Sequence, residues 1–493
     1  VPSCFKHSAL FLFGQASGPA SRHAPETKRP GHGNLLFMST LNRPDLEQPV
    51  TDLAQLTDFL RRGARPAADF GVGAETEKLV IDSESGEAAP YSRIRQLLEQ
   101  LATDRPWTEV REEGEVIALL GEHSSITLEP GGQIELSGRF CPDIHCCEGD
   151  FAAHVAAVVR AAEPLGLTFL GLGVQPFTPL EKIDWLPKSR YGIMGPYMER
   201  TGDMGQRMMK QSAGLQVNLD FEDEEDAVFK LRLGQALAPL LYALFANSPF
   251  MDGRPSGFLS TRGEIWSRTD PDRCGLIPAL FADGASLETY TDYALDVPMY
   301  FIVRDGRYLD LTGRRFTFRR YLAEGFASHR ATLADWDLHL STLFPEVRLR
   351  PQIEIRSSDS LPQGLTLSVA ALLKGLFYDR DTAETAWCLL WPGDIDALHR
   401  SYRQSWKAGL QTRQNGRLLR DLARDVLELA WQGLRRQQRH NHHGCDETVY
   451  LDPLQQIAEE GVTLAERLLR DWRGERRHDL AMLKRHCAFR LEV

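Results

Sequence analysis

The chain has 493 residues, 42% hydrophobic and 25% charged, a composition that supports a sizeable core and excludes a collagen-like or wholly disordered chain. Its net charge of −11 argues against nucleic acid or an anionic membrane surface as the main partner, yet leaves room for a locally basic pocket that holds a small anion. Eight cysteines scattered over this length fit reduced thiols better than a disulfide scaffold, so a cytoplasmic location is expected.

Residues 1–37 mix Gly, Pro, Ser and His without period, and the apolar piece Ala9–Phe13 is too short for a signal-peptide core. Arginine and serine with almost no acid allow a transit peptide. The plainer expectation is a disordered or spurious extension upstream of Met38. Thr51 is expected to cap a helix carrying Leu53, Leu56, Phe59 and Leu60. Residues 38–360 read as a catalytic α+β sheet region, and 361–493 as a helical region packed on the same domain. Asp223–Asn247 is predicted as one helix, acidic in its first turn, that Pro239 kinks or splits. Leu418–Leu434 and Leu454–Trp472 carry 3.6-residue apolar periodicity. The longest apolar run, Leu237–Ala246, is shorter than a membrane span, so no membrane is expected as a partner.

Four strand-like segments carry the chemistry. Glu75 and Glu77, two residues apart, share one strand face. After the Pro130-Gly131-Gly132 turn, Gln133, Glu135 and Ser137 share a face opposite Ile134 and Leu136. Gln216 and Asn218 oppose Leu215, Val217 and Leu219, and Gln352, Glu354 and Arg356 oppose Ile353 and Ile355. A solvated outer face of an antiparallel sheet would explain polar alternation. Such a face is usually built from Thr, Lys and Ser, and glutamate is a poor strand former. Recurrent acids on one concave face need cations, and hard oxygen donors select Mg²⁺ or Mn²⁺.

Two segments predicted as loops, Pro187–Met194 and Ser260–Trp266, pair arginine with aromatic residues, a combination suited to carboxylate or phosphate. An acidic face plus arginine loops suggests phosphoryl transfer from a Mg-nucleotide to an anionic acceptor. No Gly-x-x-x-x-Gly-Lys-Ser/Thr run is present, so the phosphates are not held by a P-loop.

The ordered stretches Gly73-Ala74-Glu75-Thr76-Glu77-Lys78, Leu128–Gly138, Phe169–Gly173, Arg190–Met194, Gln216–Phe221, Phe245–Phe250, Tyr293–Phe301 and Phe344–Arg348 resemble plant-type glutamate–cysteine ligase, a carboxylate–amine ligase family related to glutamine synthetase. The resemblance implies an α+β fold: a curved, mostly antiparallel half-barrel sheet cradling the active site, with helices outside. It implies that ATP phosphorylates the γ-carboxylate of L-glutamate and that the amine of L-cysteine attacks the acyl phosphate. The products are γ-glutamylcysteine, ADP and phosphate, the first step of glutathione biosynthesis. It further implies Glu75, Glu77, Glu129, Gln133, Glu135 and Glu354 as metal ligands, with Mg²⁺ expected and Mn²⁺ an alternative. Glu75, Glu135 and Arg356 are the implied catalytic set. Asn218 and Arg356 are expected to face the nucleotide phosphates, and Arg190, Tyr191, Arg262 and Trp266 to hold glutamate. Arg273 is a weaker candidate, and Met194, Met208 and Met209 are expected to pack rather than touch a ligand. A homodimer is an open expectation. Where plant members carry switch cysteines, this chain aligns Leu311 and Leu367, so those pairs are absent. Cys141, Cys146 and Cys147 cluster and are expected to stay as reduced thiols, with activity indifferent to mild oxidation. Two alternatives remain: a γ-glutamyl ligase acting on another amine, and a non-catalytic nucleotide- or metal-binding regulator.

Overall fold

The computed structural model describes residues 46–104 and 106–491, so the expectations for residues 1–37 and Met38 lie outside the described residues. The centre is an open sheet of nine strands: β1 Val72–Asp82, β2 Thr108–Glu112, β3 Glu115–Leu120, β4 Ser125–Leu128, β5 Ile134–Ser137, β6 Leu167–Leu170, β7 Gly214–Leu219, β8 Val347–Leu349 and β9 Ile353–Asp359. Their order is β8-β9-β7-β1-β5-β4-β3-β2, with β6 also on β1. Every pairing in this sheet is antiparallel. β1 is the hub. Its first half lies between β5 and β7, and its second half, Leu79 to Asp82, pairs with β6. The expected strands are present with small shifts of their ends, and the Pro130-Gly131-Gly132 turn joins β4 to β5 with Gly132 at φ +84°.

The period-2 pattern sorts the sheet's two faces. Leu215, Val217, Leu219, Ile353 and Ile355 enter one large core with Leu231, Leu237 and Leu241 of the Glu224–Leu244 helix. The approach is close: a Cβ at Gly234 would stand 2.8 Å from Ile355 Cδ1 and Val347 Cγ2. This helix runs unbroken through Pro239 rather than splitting, because burial against the sheet offsets the hydrogen bond that proline removes, a loss of about 3 kcal/mol. Its length of 21 residues and mean hydropathy of 1.2 would also suit a membrane span, but the helix is the filling of this core. The same core takes residues from the helices Gln363–Phe377, Leu419–Gln437 and Asp452–Glu460.

Three local expectations need correction. The Pro187–Met194 and Ser260–Trp266 segments are not loops but run into the helices Tyr191–Thr201 and Thr261–Ser267, the second capped by Ser260 Oγ, which accepts from Gly263 N at 3.2 Å. Gly at 192 and 263 and Pro196 masked the helical pattern. Leu454–Trp472 is two helices, divided at Gly461, whose φ of +67° ends the first. Thr51 is not the cap of Ala54–Arg61; Asp52 Oδ1 accepts from Ala54 N at 3.0 Å instead.

The reduced-thiol expectation also falls: Cys141 and Cys146 are joined as a disulfide, and Cys147 remains a buried free thiol. Cys141 pairs backbone to backbone with Val72 at the start of β1, so the bond ties the Ile144–Ala162 helix to the strand that carries the acids. Sequence gave no signal for it beyond proximity, because a five-residue separation is compatible with open or closed geometry.

Candidate active site

The polar face of the sheet forms the floor of a cavity lined by Glu75, Glu77, Gln133, Glu135, Gln216, Asn218, Glu354 and Arg356, with Glu129 at the β4–β5 turn. Antiparallel register decides which of them meet. Glu77 and Glu135 are direct Cα partners, as are Glu75 and Gln216, Glu354 and Asn218, and Arg348 and Glu354. The floor is therefore graded. Carboxylates cluster on β1 and β5, amides on β7, and arginines on β8 and β9.

Like charges directly opposite each other in a sheet are destabilising. Burial and mutual repulsion push the acids up. Glu77 rises to about 7 through burial and then Glu129, and Glu135 to about 7 through burial, Glu129 and Glu77. Glu75 lies well above the usual range, from burial and then Glu354 and Glu135. Compensating donors are few. Asn218 Nδ2 donates to Glu75 at 2.8 Å, Gln216 Nε2 to Glu77 at 3.0 Å, Gly214 N to Glu77, and Thr127 Oγ1 to Glu135. Among the described residues no three acids, histidines or cysteines close into a ready-made cation cage. Hard carboxylate oxygens suit Mg²⁺, which usually takes one or two of them and completes its shell with waters and substrate phosphates. Glu75, Glu77, Glu129 and Glu135 are the residues whose chemistry suits it.

Two expected ligands are otherwise engaged. Gln133 Nε2 donates to the carbonyls of Met209 at 3.2 Å and Ser212 at 2.7 Å, and its Oε1 accepts from Gly131 N at 2.9 Å. It clamps the Gly205–Gln211 helix to the turn. Glu354 is enclosed by arginines: Oε2 accepts from Arg348 Nε at 2.7 Å and Nη2 at 2.6 Å, and Oε1 accepts from Arg356 Nη1. Burial alone would raise its carboxyl, but Arg348 and then Arg356 hold it below the ordinary value. Strand alternation placed Glu354 on the correct face but could not show that Arg348 would be its cross-strand partner.

The arginine side also differs from expectation. Arg356 contacts the cavity and sits 5.6 Å from the Trp266 ring and 5.8 Å from the Phe344 ring. Trp266 lines the cavity, and its buried indole nitrogen has no hydrogen-bond partner. Arg262 does not line it. Arg262 lies beneath the floor, 2% exposed, donating from Nη1 to the Arg356 carbonyl at 3.2 Å and standing 5.5 Å from the Trp266 ring. Asn218 lines the cavity, but its amide nitrogen is directed at Glu75. Arg190 and Tyr191 line the opposite wall, with the guanidinium 5.2 Å from the phenol ring and Nη2 donating to the phenol oxygen at 3.3 Å. Arg190 Nε is buried without a partner. Arg273 lies away from the cavity in a fully buried pair with Asp270 at 2.5 Å. Arg348 and Arg350, which sequence reasoning missed, line the cavity. Their alternation, Arg348-Leu349-Arg350, was the available signal. So do Met194, Met208 and Met209.

Residues 71–486 match the model of glutamate–cysteine ligase family 2. The chain is 39% identical over 459 residues to a chloroplastic glutamate–cysteine ligase of Brassica juncea, covering 91% of this chain and 87% of that protein. It is 38% identical over 464 residues to the chloroplastic enzyme of Arabidopsis thaliana, covering 92% and 86%. Among solved structures, a glutamate–cysteine ligase of Francisella tularensis in complex with AMP aligns with a TM-score of 0.49 and 13% identity, over 84% of this chain and 88% of that one. The cytoplasmic expectation is overturned here, since these plant relatives are named as chloroplastic proteins and scattered cysteines do not distinguish a plastid stroma from a cytosol. By the match over residues 71–486 and this identity over nine-tenths of its length, the chain belongs to glutamate–cysteine ligase family 2.

Proposed function

We propose that the chain joins the γ-carboxylate of L-glutamate to the amine of L-cysteine, with ATP as the phosphoryl donor. The observation that carries this reading is the graded floor, with Glu77 opposed to Glu135 on one side and Arg348, Glu354 and Arg356 interlocked on the other. A carboxylate is a poor electrophile until its oxygen becomes phosphate. Attack of the γ-carboxylate on the γ-phosphorus of ATP gives γ-glutamyl phosphate and ADP. Attack of the amine on the acyl carbon then expels phosphate, with loss of a proton from nitrogen.

Bringing two anions together is the main electrostatic cost. Mg²⁺ bound by Glu75, Glu77, Glu129 and Glu135 would neutralise phosphate charge. The chain's own cations do the rest. Arg348, Arg350 and Arg356, which line the cavity, would meet charge on the transferred phosphoryl group. Glu354 holds the Arg348 and Arg356 guanidiniums in fixed directions, so they need no reorganisation during the reaction. Arg190, beside Tyr191, is proposed to hold a glutamate carboxylate, with its unpaired Nε available for it. Arg262 acts from beneath, through Arg356 and Trp266. Enclosure by Trp266, Phe344 and Tyr191 keeps water from the acyl phosphate. The test is ADP release with glutamate, ATP, Mg²⁺ and a panel of amines. Turnover that needs cysteine supports the reading. Turnover with another amine alone reassigns the acceptor, and ADP release without any amine refutes a ligase.

A further inference from the structure

Five of the nine methionines of the chain fall between residues 194 and 209, and three of them, Met194, Met208 and Met209, are buried and line the cavity. The other apolar walls are the flat rings of Tyr191, Trp266 and Phe344, so a flexible thioether corner calls for a ligand group that is small, soft and apolar. We infer that Met194, Met208 and Met209 form the side-chain subsite of the amine acceptor and set its preference for a short sulfur-bearing side chain. This rests on the ligase reading above.

Placement supports the acceptor over the adenine base, the other apolar group in the reaction. Met194 shares its helix face with Arg190 and Tyr191, four and three residues earlier. Met209 is held at the β4–β5 turn by Gln133, which donates to its carbonyl at 3.2 Å. Gly131 packs so tightly on the same helix that a Cβ there would stand 2.1 Å from the Lys210 carbonyl. The corner thus belongs to the carboxylate side of the floor, next to Glu129 and Glu135. Glutamate held at Arg190 would present its acyl carbon to this wall, and the amine that attacks it would carry its side chain into the corner. Methionine also suits the role chemically: the thioether is polarizable and unbranched, so it follows the shape of a thiol without hydrogen-bonding to it.

Discrimination by an apolar pocket is worth about 10- to 200-fold per methylene. The experiment measures kcat/KM for cysteine, α-aminobutyrate, serine and norvaline in wild type, Met194→Ala, Met208→Ala and the volume-conserving Met194→Leu and Met208→Leu. The alanine variants should raise norvaline relative to cysteine by about 10-fold or more, with the KM values for ATP and glutamate changed far less. The leucine variants, which keep the fold if alanine does not, should lower cysteine relative to α-aminobutyrate by a few-fold. An unchanged acceptor ratio in folded variants overturns the subsite. So does a rise confined to the KM for ATP, which would make the corner a base pocket. Failure of the wild type to turn over with any amine would instead sink the ligase reading, and this inference with it.

Discussion

Replacing Glu135 by glutamine separates stability from activity. Glu135 and Glu77 are cross-strand partners on a buried face, and such partners stand about 5 Å apart. At an effective dielectric near 20 their repulsion is about 3 kcal/mol. Burial, and then Glu129, raises each carboxyl to about 7, and Glu77 adds to the rise of Glu135. Glu135 is the better member to change. Its partners are the Thr127 hydroxyl, which can turn to meet an amide oxygen, and the Glu75 carboxyl, which can accept from an amide nitrogen, whereas Glu77 accepts from Gly214 N and Gln216 Nε2 and would be left with a clash of donors. At pH 8 without divalent cation, Glu135→Gln should therefore stabilise the protein by about 1–3 kcal/mol, close to 1–3 °C in Tm for a chain of this size. With saturating Mg²⁺, kcat should fall by about 10²-fold or more, and the Mg²⁺-induced rise in Tm should shrink. The assays are thermal melts in EDTA and in Mg²⁺, and steady-state ADP formation. A variant less stable than wild type in EDTA, or one active to within about 10-fold of wild type, would refute the argument that these acids are held apart from folding needs to bind a cation.

Stability of the cation-free protein should fall as pH rises from about 4.5 to about 7. Over that range the unfolded carboxyls have lost their protons while Glu77 and Glu135 retain theirs, so the slope is negative, about 1 kcal/mol per pH unit for each group; Mg²⁺ should raise Tm more at pH 8 than at pH 5.5. Glu354→Gln should impair activity in a way that excess Mg²⁺ does not restore, because its carboxylate orients Arg348 and Arg356; rescue by high Mg²⁺ would return it to the metal ligands. Arg262→Lys should lower kcat by altering the Arg356 backbone and the Trp266 face, with a smaller effect on the KM for glutamate than Arg190→Lys; the reverse order would place Arg262 on the substrate. Unreduced, denatured protein should titrate two fewer thiols than reduced protein, and Cys141→Ser should cost about 2 kcal/mol by the loop-closure estimate. A full complement of free thiols without reductant would refute the bond.

The alternation of Glu75 with Glu77, of Gln133 with Glu135, and of Glu354 with Arg356 was legible from sequence, because side-chain direction in a strand depends only on residue parity. With the ordered stretches from Gly73 to Arg348, that parity identified the sheet, its polar face and the family. Helices at Glu224–Leu244 and Leu419–Gln437 were legible for the same reason, with a period of 3.6. What parity cannot encode is the neighbour across the ladder. That Glu77 faces Glu135, that Glu354 is paired with Arg348, and that Gln133 clamps a helix depend on strand order and register between separate segments. Depth was equally hidden. Arg262 and Trp266 lie four residues apart on one helix, yet only Trp266 reaches the cavity, and Met194, Met208 and Met209 pack in the core as expected while also lining its wall. A one-dimensional pattern fixes which way a side chain points from its own backbone; how far it reaches, and what stands opposite, is set by the packing of distant elements.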